Sequence, residues 1–117
     1  MIDQSRRQEL SEELDEEFLD ELTAAFWVDA WALIDFGVEA LVNDDTDELH
    51  KVLHTLAGSA INLGFTGIWQ AASAAGAALK IGVRPDFGRL QAVMLRTSAA
   101  LEAAPAQARL HLVAVSA

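Results

Sequence analysis

The residues best suited to chemistry are two histidines four positions apart, His50 and His54, with Lys51 between them. A neutral imidazole is a nucleophile and a metal ligand near neutral pH, so these residues are candidates for either activity. Gly58 lies four residues after His54. On a helix that spacing brings the two positions side by side, which predicts an imidazole next to a bare stretch of backbone.

The histidines belong to a segment, residues 49–63, whose apolar spacing is that of an amphipathic helix. Its predicted buried face is formed by Leu49, Val52, Leu53, Leu56, Ala60 and Leu63. His54 falls about 150° from the centre of that face, so we expect it to be exposed in the middle of the helix. Glycine within a helix costs about 1 kcal/mol relative to alanine, and core packing does not explain Gly58 on the outward face. We therefore expect Gly58 to give a bulky group access to His54.

The segment from His54 to Gly64, His-Thr-Leu-Ala-Gly-Ser-Ala-Ile-Asn-Leu-Gly, resembles the signature of histidine-containing phosphotransfer (HPt) domains, H-x-L-K-G-S-(A/S)-x-x-(L/I)-G. Phe26 and Asp29 also fit the family's F-x-x-(D/E) segment, and Asp45 lies nine residues before the histidine. The resemblance covers roughly residues 14–103. It implies a four-helix bundle in a two-component phosphorelay.

The resemblance implies that His54 accepts a phosphoryl group from an aspartate of a response-regulator receiver domain and passes it to another. The protein would carry a phosphohistidine intermediate without kinase activity of its own. The Mg²⁺ ion would belong to the receiver, so we expect no cofactor and no metal on this chain. Lys51 and Gly58 are the expected supporting residues, and Ala57 and Ile61 are the expected contacts for receivers, including the receiver of a hybrid histidine kinase.

Two positions depart from the family pattern. Ala57 stands where the family usually has a lysine that helps to neutralise the phosphoryl group, and we expect Lys51 to substitute in part. Gly76, expected to lie level with His54 on the following helix, stands where many relatives have a polar side chain. The effect of both departures on transfer is open.

Other functions of the same residues remain as alternatives. The chain would be a non-catalytic HPt-like module if it bound a receiver without phosphoryl chemistry. A metal site at His50 and His54 lacks a nearby third ligand, because Asp47 and Glu48 are at the helix start and His111 is far along the chain. Ser59 has no base spaced to activate it.

Composition limits the function classes. The 117 residues include no cysteine, which excludes disulfides and thiolate chemistry, and the net charge is −10, which argues against nucleic-acid binding. Residues 3–48 hold sixteen acids and two arginines, whereas residues 49–117 hold six basic residues and two acids. A receiver's acidic pocket would therefore approach near Lys51. The uncharged stretch Thr55–Leu79 is rich in alanine and glycine, so we expect no membrane span and a cytoplasmic protein.

Helical periodicity predicts an all-α fold: an antiparallel up-and-down four-helix bundle with a short extra N-terminal helix. The predicted parts are an N-terminal helix over 1–13 capped at Ser5, a bundle over 14–104 and a tail over 105–117. Within the bundle, helices are expected over about 14–42, from Asp45 to about Leu63, over Ile68–Ile81, and from Asp86 to about 103–105.

The long helix over 14–42 has two apolar stripes on nearly opposite sides. We expect one to face the core: Phe18, Leu22, Ala25, Leu33, Phe36 and Ala40. The other is Trp27, Trp31, Ile34 and Val38. It would pack against the first helix or the tail, or it would form a homodimer or partner surface.

Overall fold

The computed structural model describes residues 2–102, and these residues form five α-helices and no strand. The helices are α1 (Gln4–Glu13), α2 (Glu16–Val42), α3 (Thr46–Asn62), α4 (Thr66–Lys80) and α5 (Phe87–Glu102). The predicted all-α fold is confirmed, with helix ends within a few residues of those expected. None of these five helices is long and apolar enough to cross a membrane. The predicted tail over 105–117 lies outside the described residues.

Aspartates begin four of the helices. Each accepts a hydrogen bond at its side chain from a backbone N–H three residues later, which satisfies a donor that the first turn leaves without a helical partner. These pairs are Asp3 with Arg6, Asp15 with Phe18, Asp45 with Glu48, and Asp86 with Arg89. The cap of α1 is thus Asp3, and the prediction of Ser5 is wrong.

The helices pack around one apolar core. α3 contacts α2 and α4, α4 contacts α5, and α5 contacts α2, while α1 lies against α2. The core side chains include several that are almost fully enclosed: Ile34, Leu53, Leu56, Phe65, Ile68, Leu90 and Met94. α3 therefore has a neighbouring helix on each side.

The buried face of α2 is not the predicted stripe. Its buried residues are Leu19, Thr23, Phe26, Ala30, Ile34, Gly37 and Ala40. Of the stripe expected in the core, Phe18, Leu22, Ala25 and Phe36 are exposed, Leu33 is half-buried, and only Ala40 is buried. The true face contains a threonine and a glycine, which a count of large apolar residues overlooks.

The second stripe of α2 is also not a free surface. Ile34 is fully buried, and Trp27 stacks on Phe65 with ring centroids 5.5 Å apart. Trp31 is half-buried, which leaves Val38 as the exposed member. Of the two alternatives for these four residues, a single exposed surface does not fit this burial, because the core lies between the two predicted stripes.

Gly37 is required by the ring of Phe87. A Cβ atom added at Gly37 would overlap that ring and would also lie 3.2 Å from Cγ1 of Val52. Phe87 is the first residue of α5 and is itself buried. The missing side chain on α2 thus allows α5 to begin against α2.

We predict that Gly37→Ala lowers the free energy of unfolding by about 1–3 kcal/mol, because overpacking outweighs the gain in helix propensity. The matched control is Gly58→Ala on α3, where an added Cβ meets nothing within 4 Å. The control should raise stability by up to about 1 kcal/mol. Urea unfolding followed by circular dichroism measures both. A Gly37→Ala protein as stable as Gly58→Ala would contradict the packing argument.

Candidate functional site

The buried face of α3 is the one that the sequence predicts. Leu49, Val52, Leu53, Leu56 and Ala60 are each at most 3% exposed, and Leu63, just beyond the helix end, is half-buried. His54 projects from the middle of the opposite side and is exposed, as are Lys51 and Gly58. The core thus fixes the direction in which His54 points.

Gly58 has no internal packing reason to be glycine. A Cβ atom placed there meets nothing within 4 Å outside the helix backbone. An alanine would therefore fit the fold and would favour the helix. The open space supports the interpretation of Gly58 as an access position beside His54.

Ala57 is buried at 8% exposure and belongs to the main core cluster. The expectation that it is exposed for docking is therefore wrong. On the helix it lies within about 60° of Leu53 and Ala60, so its small side chain is buried with theirs. Ile61, the other expected docking residue, is 36% exposed. Of the two, only Ile61 offers a side chain to a partner.

The remaining residues that the sequence singles out are His50 and Gly76. His50 is half-buried, one turn before His54. Within residues 2–102, no three His, Asp or Glu side chains are grouped to hold a metal ion. Gly76 on α4 is half-buried and, like Gly58, has open space where a Cβ would be.

The sequence did not reveal a groove between α2 and α3, closed at one end by α1. This α2–α3 groove has a volume of about 370 Å³ and is lined by Arg6, Leu10, Leu22, Ala25, Phe26, Asp29, Ala30, Leu33, Leu56, Ser59, Asn62 and Leu63. Its α3 wall, from Leu56 to Leu63, follows His54 along the same helix. The apolar stripe of α2 could have indicated this groove, but only if the buried face of α2 had been assigned correctly.

The carboxyl end of α3 is held by the start of α1. The backbone N–H of Asp3 donates to the carbonyl of Gly64 at 2.6 Å, Arg6 Nε donates to that of Asn62 at 3.1 Å, and Arg7 donates to that of Leu63 at 3.2 Å. These carbonyls lack helical partners, and positive charge is favourable at this end of a helix. The three contacts therefore fix the end of the helix that carries His54.

Arg7 also contacts α2 and the loop between α3 and α4. It donates to Thr23 Oγ1 on α2 at 3.3 Å, and its guanidinium lies over the Phe65 ring at 5.2 Å. Burial lowers the pKa of Arg7, and the Asp20 carboxylate opposes that effect. One side chain thus links α1, α2 and the α3–α4 loop.

Comparisons of this chain with known protein families, with curated proteins and with solved structures return no match. A functional assignment therefore has to rest on the residues and geometry described above.

We predict that diethyl pyrocarbonate modifies His54 several-fold faster than His50, because His54 is exposed and His50 is half-buried. Peptide mass spectrometry during a time course measures both rates in one sample. A background substitution His111→Gln removes the third histidine. Equal or reversed rates would contradict the described placement of His54.

Proposed function

We propose that this protein is a phosphorelay intermediate of the HPt type, in which His54 carries the phosphoryl group. The observation that carries the proposal is an exposed histidine at the centre of a rigid helix, one turn from a glycine that the fold does not require. A nucleophile that reacts inside another protein's site needs this combination of rigidity and clearance. The eleven-residue resemblance from His54 to Gly64, which includes both of these residues, adds support.

The proposal includes an antiparallel four-helix bundle formed by α2 to α5. Each helix contacts the next, and α5 contacts α2, as a closed arrangement of four helices requires. The connections between successive helices are three, three and six residues long, which suits antiparallel neighbours. α1 would be an addition at one end.

The proposed step is a phosphoryl exchange between two proteins. An unprotonated ring nitrogen of His54 attacks the phosphorus of an aspartyl phosphate on a receiver domain. The P–N bond forms as the P–O bond breaks, and the aspartate leaves as a free carboxylate with the bonding electron pair. The reverse step at a second receiver regenerates neutral His54. Mg²⁺ on the receiver would offset the negative charge of the transferring phosphoryl group. This chain would hold the attacking nitrogen of His54 in position.

Lys51 is the proposed electrostatic support on this chain. It is exposed one turn before His54, whereas Ala57, at the position of the family's usual lysine, is buried and uncharged. A cation near the phosphoryl group stabilises charge in the transition state. We propose that the receiver's acidic pocket approaches on the Lys51 side, as the distribution of charge favours.

The receiver would dock on apolar area beside His54. Ile61 supplies part of it on α3, and the apolar residues of α2 that line the α2–α3 groove supply the rest. A transient interface of this type is small, on the order of 1,200 Å². The protein would act in the cytoplasm, where receiver domains work.

We predict that the protein, incubated with a phosphorylated receiver domain, takes up label that is labile in acid and stable in base. His54→Gln should abolish the label, whereas His50→Gln, the matched control one turn away, should retain it. Mass spectrometry of the labelled protein places the phosphoryl group. Labelling of His54→Gln to the level of the wild type, or no labelling by any receiver of the host cell, would overturn the proposal.

We predict that Gly58→Leu blocks transfer while keeping or raising stability by up to about 1 kcal/mol, because a Cβ atom at this exposed position meets nothing within 4 Å. Gly58→Ala is the matched control and should slow transfer less. Transfer rates and thermal unfolding are measured on the same preparations. Unchanged transfer in Gly58→Leu would show that clearance beside His54 is not the reason for the glycine.

A second candidate is a non-catalytic module that binds a receiver. The observation that favours it is the buried Ala57, which leaves the site without the family's usual cation at that position. Receiver binding without label in the transfer experiment would support this second function.

A further inference from the structure

Several exposed apolar residues of α2, together with the half-buried Leu33, form one continuous band. The α2 apolar stripe consists of Phe18, Leu22, Ala25, Leu33 and Phe36, which lie within about 100° of the helix circumference. Phe18 is 45% exposed, Leu22 36% and Phe36 57%. Three of its members line the α2–α3 groove, so the band borders a concavity. A concave apolar strip of this kind is the usual receptor for an amphipathic helix.

The charged residues that α2 places beside this stripe all have one sign. α2 carries seven acidic residues and no basic residue. Asp29 lies within the stripe, and the exposed Glu21 and Glu39 lie along its outer border. Across the groove, the guanidinium of Arg6 is already engaged by the Asn62 carbonyl and by Glu9. The border of the stripe is therefore strongly negative.

This charge pattern selects among occupants of the stripe. A second copy of the chain would bring the same acids against each other, which costs affinity. A helix with an apolar face and Lys or Arg on both flanks would instead bury its apolar face and meet the acids. Charge complementarity thus favours a basic partner helix.

We propose that the α2 apolar stripe and the α2–α3 groove bind a basic amphipathic helix of the partner protein. This inference rests on the proposed function and extends it. It specifies that the receiver helix that docks on α2 is positively charged. The acidic pocket of the partner would then meet Lys51 and His54 while its basic helix meets α2. The two contacts have opposite polarity, which sets the orientation of the partner.

The probe is a synthetic amphipathic peptide of about 18 residues with leucines on one face and lysines on both flanks. We expect it to bind the full chain at least about tenfold more tightly than the same peptide with glutamates on the flanks. Titration followed by ¹H–¹⁵N NMR should shift amides of α2 and of the groove wall on α3. Equal affinity for the two peptides, or shifts confined to other helices, would overturn the proposal.

Matched variants separate the site from the overall negative charge. Glu21→Gln/Glu39→Gln should weaken binding about threefold or more, whereas Asp47→Asn/Glu102→Gln, with the same change in net charge at exposed positions of α3 and α5, should change it little. Leu22→Ser/Phe36→Ser should abolish binding, and Val28→Ser, at a residue 71% exposed, should not. If each control substitution weakened peptide binding as much as the variant it is paired with, the proposal would be overturned.

Two further outcomes would assign the stripe to another occupant. Dimerisation in analytical ultracentrifugation that Leu22→Ser/Phe36→Ser abolishes would show that a second copy binds there. Peptide affinity that rises more than about tenfold in Leu110→Ser/Leu112→Ser would show that the chain's own residues compete. His54→Gln separates the two proposals, since it should lose label and keep peptide binding. Label without peptide binding would overturn the docking proposal alone.

Discussion

The burial of one face of α3 is the constraint on which the rest of the molecule depends. Five side chains of that face are almost completely enclosed, and α2 and α4 pack on either side of the helix. A helix held in this way cannot rotate without exposing those side chains, at a cost of roughly 1.5–3 kcal/mol for each large one. The outward direction of His54 follows, as do the burial of Ala57 and the exposure of Gly58. The proposed chemistry uses the side of the helix that the core leaves open.

Prediction from sequence succeeded where a helix has one apolar face and failed where it has several. α3 has a single clear face, so its large buried residues, its aspartate cap and the exposure of His54 were all predictable, whereas the burial of Ala57 was not. α2 has apolar residues on most of its circumference, and the face that packs is decided by its neighbours. Thr23 is buried because Leu19 and Arg7 satisfy its hydroxyl, and Gly37 is buried because Phe87 fills the space beside it. Neither contact can be predicted from the periodicity of α2 alone.

Polar contacts at both ends of α3 complement the apolar packing. At its carboxyl end, Asp3, Arg6 and Arg7 take up three carbonyl groups. At its amino end, Arg84 joins the two loops there, since it donates to Asp44 at 3.1 Å and to the Leu41 carbonyl at 3.3 Å. The Arg84–Asp44 pair is largely exposed and adds little stability by itself. Its effect is to hold the α4–α5 loop against the start of α3, which keeps the ends of the helix fixed relative to its neighbours.

The lengths of α2 and α3 explain where α1 packs. α2 has 27 residues and α3 has 17, which correspond to about 40 Å and 25 Å of helix at 1.5 Å per residue. α2 is therefore about 15 Å, or nearly three turns, longer than the helix beside it. α1, with ten residues, is about as long as this overhang, and it places Leu10 and Arg7 against the first turns of α2. The surplus length of α2 thus gives α1 a surface to cover, and a chain with a shorter α2 would leave α1 only its contacts with the end of α3 and the loop after it.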